Sequence, residues 1–153
     1  MNVLFVDLGN VFRSPLAESL LKKKFDDQKI PGTVDSAGFE SFNINEPPDT
    51  RAVNIALKFG YSVEGSARIF VKEDFEHFDK IFVMDSKNYC DVMELAKTKE
   101  QKSKVDYLLN MLKDENNKSV PDPQNSGVED WETMFRLLDR ATDKIVELAK
   151  AEN

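Results

Sequence analysis

The chain alternates short apolar runs with longer segments whose apolar residues recur every three or four positions. Val3 to Val6 is continuously apolar and indicates a buried strand, and the glycine-containing segment Asp7 to Asn10 predicts a tight turn after it. A helix is expected next, with Ser14 as its N-cap and Pro15 as its first residue. Its apolar face would carry Leu16, Leu20, Leu21 and Phe25.

The rest of the chain continues this alternation. The same criteria predict strands at Gly32 to Ser36, Phe78 to Asp85 and Val105 to Leu109, and helices at Pro48 to Phe59, Ser86 to Ala96 and Glu129 to Ala151. The apolar face of the last helix would be formed by Met134, Leu138, Ala141, Ile145 and Leu148. Strands alternating with helices predict an α/β fold, a three-layer sandwich with a central parallel sheet of about four strands and helices on both faces.

Composition narrows the class of protein. A chain of 153 residues fits a single domain spanning 1–153, and its net charge of −7 argues against a nucleic-acid partner. We expect no membrane partner, because no apolar run reaches spanning length, and no signal peptide.

One cysteine, Cys90, favours a reducing, cytoplasmic setting and is expected to be semi-buried in a helix. The only histidine, His77, lacks companion ligands, so we expect no metal and no cofactor. The run Lys22 to Lys24 is expected to be solvated, and Trp131 to pack against the domain.

Ligands of parallel α/β sheets bind at the carboxyl ends of the strands, which directs attention to the segment from Asp7 to Ser14. A strand, a short turn and a helix start bring several backbone N–H groups around one concavity, and the helix dipole makes it attractive to an anion. Arg13, at the end of the turn, can hold two oxygens of a phosphate in a fork. Taken alone, the pattern fits equally well an ordinary turn followed by a surface arginine.

Residues 3–18 resemble the signature of the low-molecular-weight protein tyrosine phosphatases, in which a cysteine, five residues and an arginine form the phosphate loop and Ser-Pro opens the helix. Two positions depart from it: Asp7 stands at the catalytic cysteine, and Phe12 stands where many members have a second cysteine. Further matches follow in the family's order at Asp35 to Gly38, Glu46 to Ala52, Lys72 to Phe75, Met84-Asp85 with Asn88, and Val120 to Pro123.

The resemblance implies a role for each matching residue. The phosphoryl group would be held by Leu8, Gly9, Asn10, Val11, Phe12 and Arg13. Asn10, Ser14 and Ser36 would brace the loop, and Ser14 would also help to activate the nucleophile. Asp122 would be the general acid, and Phe42 and Gln124 would form a thin wall beside the substrate ring. The implied partners are phosphotyrosine proteins, small aryl phosphates and the phosphate anion.

Asp7 changes what that site can do. A carboxylate is a far weaker nucleophile than a thiolate and its side chain is one bond longer, so its oxygens should lie inside the cradle. There they are expected to accept hydrogen bonds from Arg13 and the loop amides, and to repel a phosphate dianion. The sequence therefore predicts a family member that is inactive or severely impaired as written.

Three other interpretations remain open. The chain could be a natural pseudophosphatase that acts as a binding module, or an engineered variant of an active phosphatase in which a cysteine was replaced. Asp7 to Val11 also resembles the opening motif of haloacid-dehalogenase-type phosphatases, which use an aspartate nucleophile with magnesium. In that case Asp85 and Asp122 would be the candidate metal ligands.

Overall fold

The computed structural model describes residues 1–113 and 116–152, and a parallel sheet forms the centre of this part of the chain. Its four strands are β1 (Val3–Val6), β2 (Val34–Ala37), β3 (Lys80–Val83) and β4 (Val105–Tyr107). They lie in the order β2-β1-β3-β4, and every neighbouring pair is parallel. Because β1 is covered on both edges and both faces, all four of its residues are buried, as its unbroken apolar pattern predicts.

Helices cover both faces of the sheet. They are α1 (Arg13–Asp27), α2 (Thr50–Lys58), α3 (Asp74–His77), α4 (Ser86–Leu95), α5 (Lys99–Ser103) and α6 (Val128–Glu152). Two short 3₁₀ helices occupy Ser41–Asn43 and Leu108–Met111. The sequence patterns do not predict α3 or α5, and the predicted last strand is shorter because its final residues turn into the second 3₁₀ helix.

The side chains of β1 point alternately into two hydrophobic cores. Val3 and Phe5 belong to the core shared with α1, α2 and α6, whereas Leu4 and Val6 belong to the core that contains Val92 of α4. This division confirms the predicted three-layer α/β sandwich. The structure also confirms that Trp131 is packed against the rest of the protein.

Several surface predictions need correction. Lys24 is buried, because its ammonium reaches across to α6 and donates to Asp139 Oδ1 at 2.6 Å and Thr142 Oγ1 at 2.8 Å. Cys90 is exposed rather than semi-buried, since it lies on the outer side of α4. In the last helix Leu148 is only half-buried and Ala149 takes the inward position.

The loop from Asp7 to Phe12 leaves the carboxyl end of β1, the strand that lies between β2 and β3. The residues that follow β2 and β3 are therefore its nearest neighbours, as the topology of a parallel sheet requires. In the described residues 1–113 and 116–152, no helix has both the length and the apolar character needed to cross a membrane.

Candidate functional site

Asp7 lies at the floor of this loop with only 2% of its surface exposed. The backbone N–H of Asn10 donates to Asp7 Oδ1 at 2.6 Å, and that of Ser14 donates to Asp7 Oδ2 at 3.0 Å. The prediction that Ser14 is the N-cap of α1 is wrong, because α1 begins at Arg13 and Phe12 precedes it without a side-chain cap. The carboxylate of Asp7 accepts instead from the N–H of Ser14 in the first turn of α1, so it acts as a capping side chain for this helix.

Arg13 is buried beside Asp7 but does not hydrogen bond to it. Its guanidinium donates from Nη1 to the carbonyl oxygen of Val120 at 2.9 Å and from Nη2 to Asp85 Oδ2 at 3.0 Å. The expected hydrogen bond between Arg13 and Asp7 is therefore missing from the described residues. The Arg13 guanidinium binds Asp85, which follows β3, and the carbonyl oxygen of Val120, which precedes α6, instead of Asp7. Arg13 Nε is buried and has no partner there, so one strong donor is unused.

Burial raises the pKa of the Asp7 carboxyl above its ordinary value, because the charged form is removed from water. The positive charge of Arg13, the N–H groups of Ser14 and Asn10, and the Ser14 hydroxyl act in the opposite direction but are outweighed. Asp7 consequently holds its proton to a higher pH than an exposed aspartate does.

Asn10 braces the loop from the inside. Its backbone has a positive φ of 56°, which asparagine tolerates better than most residues. Its Nδ2 donates to Ser14 Oγ and Ser36 Oγ, both at 2.9 Å, and its Oδ1 accepts from the Arg68 N–H at 2.9 Å. Ser36 Oγ donates in turn to Glu18 Oε1 at 2.6 Å. One short side chain thus ties together α1, β2 and the segment after α2.

The outer side of the loop is fixed by backbone contacts. Leu8 O accepts from the N–H groups of Phe39 at 2.7 Å and Glu40 at 3.1 Å, and Val11 O accepts from Asp49 N–H at 2.6 Å. Within the described residues no acceptor contacts the N–H groups of Gly9, Val11, Phe12 and Arg13. The carbonyl groups are therefore bonded outward while these N–H donors stay available to an anion.

A cavity of about 440 Å³ opens above Asp7. Its wall includes Asp122, Phe42 and Gln124, so the structure brings these predicted residues to one site with Asp7 and Arg13. Phe42 is 75% exposed, which leaves its ring face accessible from the cavity mouth. Asp122 Oδ1 accepts from Gln124 N–H at 3.0 Å.

The segment that carries Asp122 is anchored by Arg51, a residue that the sequence did not single out. Its guanidinium donates to the carbonyl oxygen of Gln124, pairs with Asp49 Oδ2 at 2.9 Å and lies 5.0 Å above the Trp131 ring. Trp131 packs against Phe12 with ring centroids 5.6 Å apart. The wall and the loop are thus joined by one chain of contacts.

Four further residues line the cavity and were given no role from sequence: Glu40, Asn43, Lys87 and Asn88. Asp85 lines it as well, and the sequence suggested it only as a metal ligand. The position of Asp85 at the site could have been predicted. It follows β3, a neighbour of β1, and the carboxyl ends of parallel strands lie at the same edge of the sheet. Asp85 Oδ1 also accepts from the Asn88 N–H at 2.9 Å at the start of α4. In the part of the chain that the structure describes, no group of three or more His, Cys, Asp or Glu side chains converges on a metal position.

Comparison with known proteins points to a single family. The family model described as "Low molecular weight phosphotyrosine protein phosphatase" matches residues 2–153. The protein of that name from Homo sapiens is 34% identical over 151 residues, 97% of this chain and 95% of its own length. The protein of the same name from Gallus gallus is 33% identical over 149 residues, 95% and 94% of the two chains.

Solved structures agree in fold. A protein tyrosine phosphatase from Entamoeba histolytica, crystallised with Hepes in its active site, has a TM-score of 0.90 at 30% identity and covers 100% of this chain and 99% of its own. A Drosophila arginine phosphatase has a TM-score of 0.91 at 27% identity, with 100% coverage of both chains.

Proposed function

The chain belongs to the low molecular weight phosphotyrosine protein phosphatase family, and we propose that it is a member whose loop still accommodates an oxyanion but which does not turn over phosphate esters at an appreciable rate. The observation that carries this proposal is the position of Asp7. Its carboxylate is held at the floor of the cradle by the N–H groups of Asn10 and Ser14. That position belongs, by the family pattern, to the cysteine nucleophile.

Two physical effects disable the reaction. A carboxylate held by two amides is a weak nucleophile, whereas the family's chemistry requires a thiolate. An ionised Asp7 also repels the substrate, by roughly 4 kcal/mol for each pair of unit charges about 4 Å apart at an effective dielectric constant near 20. A dianion carries two such charges, so its binding is weakened before any bond is formed.

The remaining parts would serve an active enzyme. Arg13 and the unpaired loop amides would hold the phosphoryl group, and Asn10 and Ser36 would keep the loop in shape. Asp122 would protonate the leaving group, with Phe42 and Gln124 beside the substrate ring. We place the protein in a reducing, cytoplasmic setting with phosphotyrosine proteins or small aryl phosphates as ligands.

The test is a paired assay of the unaltered chain and Asp7→Cys, with Asp7→Ala as the matched control that removes the carboxylate without supplying a thiol. We expect hydrolysis of p-nitrophenyl phosphate only for Asp7→Cys. Phosphoarginine is a second substrate to include, because one structural relative is an arginine phosphatase. A robust rate from the unaltered chain that disappears in Arg13→Ala would overturn the proposal.

A magnesium-dependent aspartate nucleophile is the competing function. Both proposed ligands are already engaged, since Asp85 binds Arg13 and the Asn88 N–H while Asp122 accepts from the Gln124 N–H. Phosphatase activity of the unaltered chain that depends on added magnesium would favour this alternative over a disabled loop.

A binding module is the interpretation favoured by the intact brace around Asn10. A loop that is held by this many contacts keeps the shape of the family surface even without turnover. Capture of a phosphotyrosine peptide by the unaltered chain, without release of phosphate, would support this role.

A further inference from the structure

We propose that anion binding at this site is coupled to the uptake of one proton: a tetrahedral oxyanion enters the cavity only when a proton lies between one of its oxygens and the Asp7 carboxylate. The inference rests on the proposed function, because it concerns the same cavity and the same aspartate. It describes how the site binds, however, and not whether it catalyses.

The loop at the base of the cavity carries hydrogen-bond donors that have no partner in the described residues. The N–H groups of Gly9, Val11, Phe12 and Arg13 have no acceptor in the described residues, and neither does the buried Nε of Arg13. Arg13 is only 4% exposed, so this unused donor carries a desolvation cost that an anion would remove. These donors attract an oxyanion to the space directly above Asp7.

Asp7 is the one acceptor at the floor, and it has room for a proton. Each carboxylate oxygen can accept about two hydrogen bonds. The N–H groups of Asn10 and Ser14 supply one to each oxygen, and the Ser14 hydroxyl supplies a third contact to the carboxylate. One acceptor position is left, so a proton there can point into the cavity while both backbone bonds persist. The side chain then changes from a repelling charge into an O–H donor toward the ligand.

The proton balance is simple. The ionised protein, a sulfate dianion and one proton from solvent form a complex in which Asp7 is a neutral acid that donates to a sulfate oxygen. Only an O–H bond is made, and no bond of the ligand breaks. Burial has already raised the pKa of Asp7 in the free protein, so protonation here costs less than it does at an exposed aspartate.

Charged neighbours reinforce the coupling. The charged side chains that line the cavity with Asp7 are Arg13 at the start of α1, Glu40 after β2, Asp85 and Lys87 at the start of α4, and Asp122 before α6. The two cations are already paired, Arg13 with Asp85 at 3.0 Å and Lys87 with Asp91 at 2.9 Å. Glu40 and Asp122 add negative potential, so protonation of Asp7 removes a repulsion that the two paired cations offset only in part.

Sulfate is the right probe, because it remains a dianion across the working pH range and cannot itself supply the proton. Titration calorimetry at constant ionic strength, repeated in buffers of different protonation enthalpy, measures the protons taken up per sulfate bound. At pH values above the pKa of Asp7 we expect one proton per sulfate, and an affinity that weakens about tenfold for each pH unit.

Two variants locate the proton. Asp7→Asn replaces the carboxylate by a neutral amide of the same shape and should bind sulfate with no proton uptake and no pH dependence. Glu40→Gln makes the same chemical change elsewhere in the cavity wall, and it should keep the proton uptake of the unaltered chain.

Three results would overturn the inference: sulfate binding by the unaltered chain without proton uptake at pH values above the pKa of Asp7, uptake that persists in Asp7→Asn, or no sulfate binding at any pH. The first and third are measured on the unaltered chain, so the test stands even if Asp7→Asn fails to fold. Hydrolysis of an aryl phosphate would instead count against the proposed function alone, because sulfate is never turned over.

Discussion

Gly38, the residue after β2, allows a direct test of how the loop is held. A Cβ added at this position would lie 2.8 Å from Leu8 O, 2.9 Å from Asn10 Cβ and 3.0 Å from Asn10 N. These atoms belong to the loop backbone or are rigidly attached to it, so they cannot rotate aside. Leu8 O is in addition fixed by the N–H of Phe39 at 2.7 Å.

Gly38→Ala should therefore push the loop away from β2. Overpacking of this kind costs about 1–3 kcal/mol of unfolding free energy, and each kcal/mol lowers the melting temperature by about 2–4 °C for a domain of this size. Urea unfolding gives the free energy, and sulfate affinity reports whether the loop amides have moved. Both should decrease together.

Gly127 supplies the matched control, because a Cβ there meets no atom within 4 Å and its φ is not positive. Gly127→Ala should be neutral, or stabilising by up to about 1 kcal/mol through the unfolded state. If Gly38→Ala unfolds at the same urea concentration as Gly127→Ala, the steric account of the loop is refuted.

Two further predictions concern charge. Burial raises the folded-state pKa of Asp7, so the stability contributed by its protonated form is present below the ordinary aspartate pKa and is lost as pH rises through the folded-state pKa. Over that pH range the unfolding free energy of Asp7→Asn, measured in urea, should increase relative to that of the unaltered chain. A difference that does not change with pH would contradict this prediction. Lys24→Ala should lower the unfolding free energy by about 1–3 kcal/mol, because it removes a buried ammonium bonded to Asp139. As a control, Lys23→Ala at the half-exposed neighbour should change the unfolding free energy by no more than about 0.5 kcal/mol. Equal effects of the two substitutions would count against a stabilising role for the bond between Lys24 and Asp139.

The pattern of apolar residues predicts a strand or helix correctly where burial alone determines which residues the element contains. Val3 to Val6 is recognised with correct bounds, because a central parallel strand needs four apolar residues in a row. The second strand starts two residues later than expected, at Val34; Gly32 before it has a φ of 152°, and a Cβ added there would clash with the carbonyl oxygen of Met1. The five-residue α5 has too little apolar periodicity to be seen, although its capping box at Thr98 and Gln101 was a usable signal.

The site could be located from sequence, but its bonding could not. Arg13 takes partners 72 and 107 residues away, and no local pattern shows that Asp85 and Val120 outcompete Asp7 for its guanidinium. Lys24 illustrates the same limit, because its charge implies solvent while its four-carbon stem reaches α6. Sequence gives the chemistry of a side chain, and tertiary packing decides which partner it uses.

The contact between Phe12 and Trp131 gives the protein an optical reporter. Trp131 is the only tryptophan in the chain and is 4% exposed, so the whole indole emission comes from one apolar position. Its ring touches the loop on one side and a guanidinium on the other. Any ligand that shifts Phe12 will change that emission, and occupancy of the cradle can be followed in stopped flow without a label.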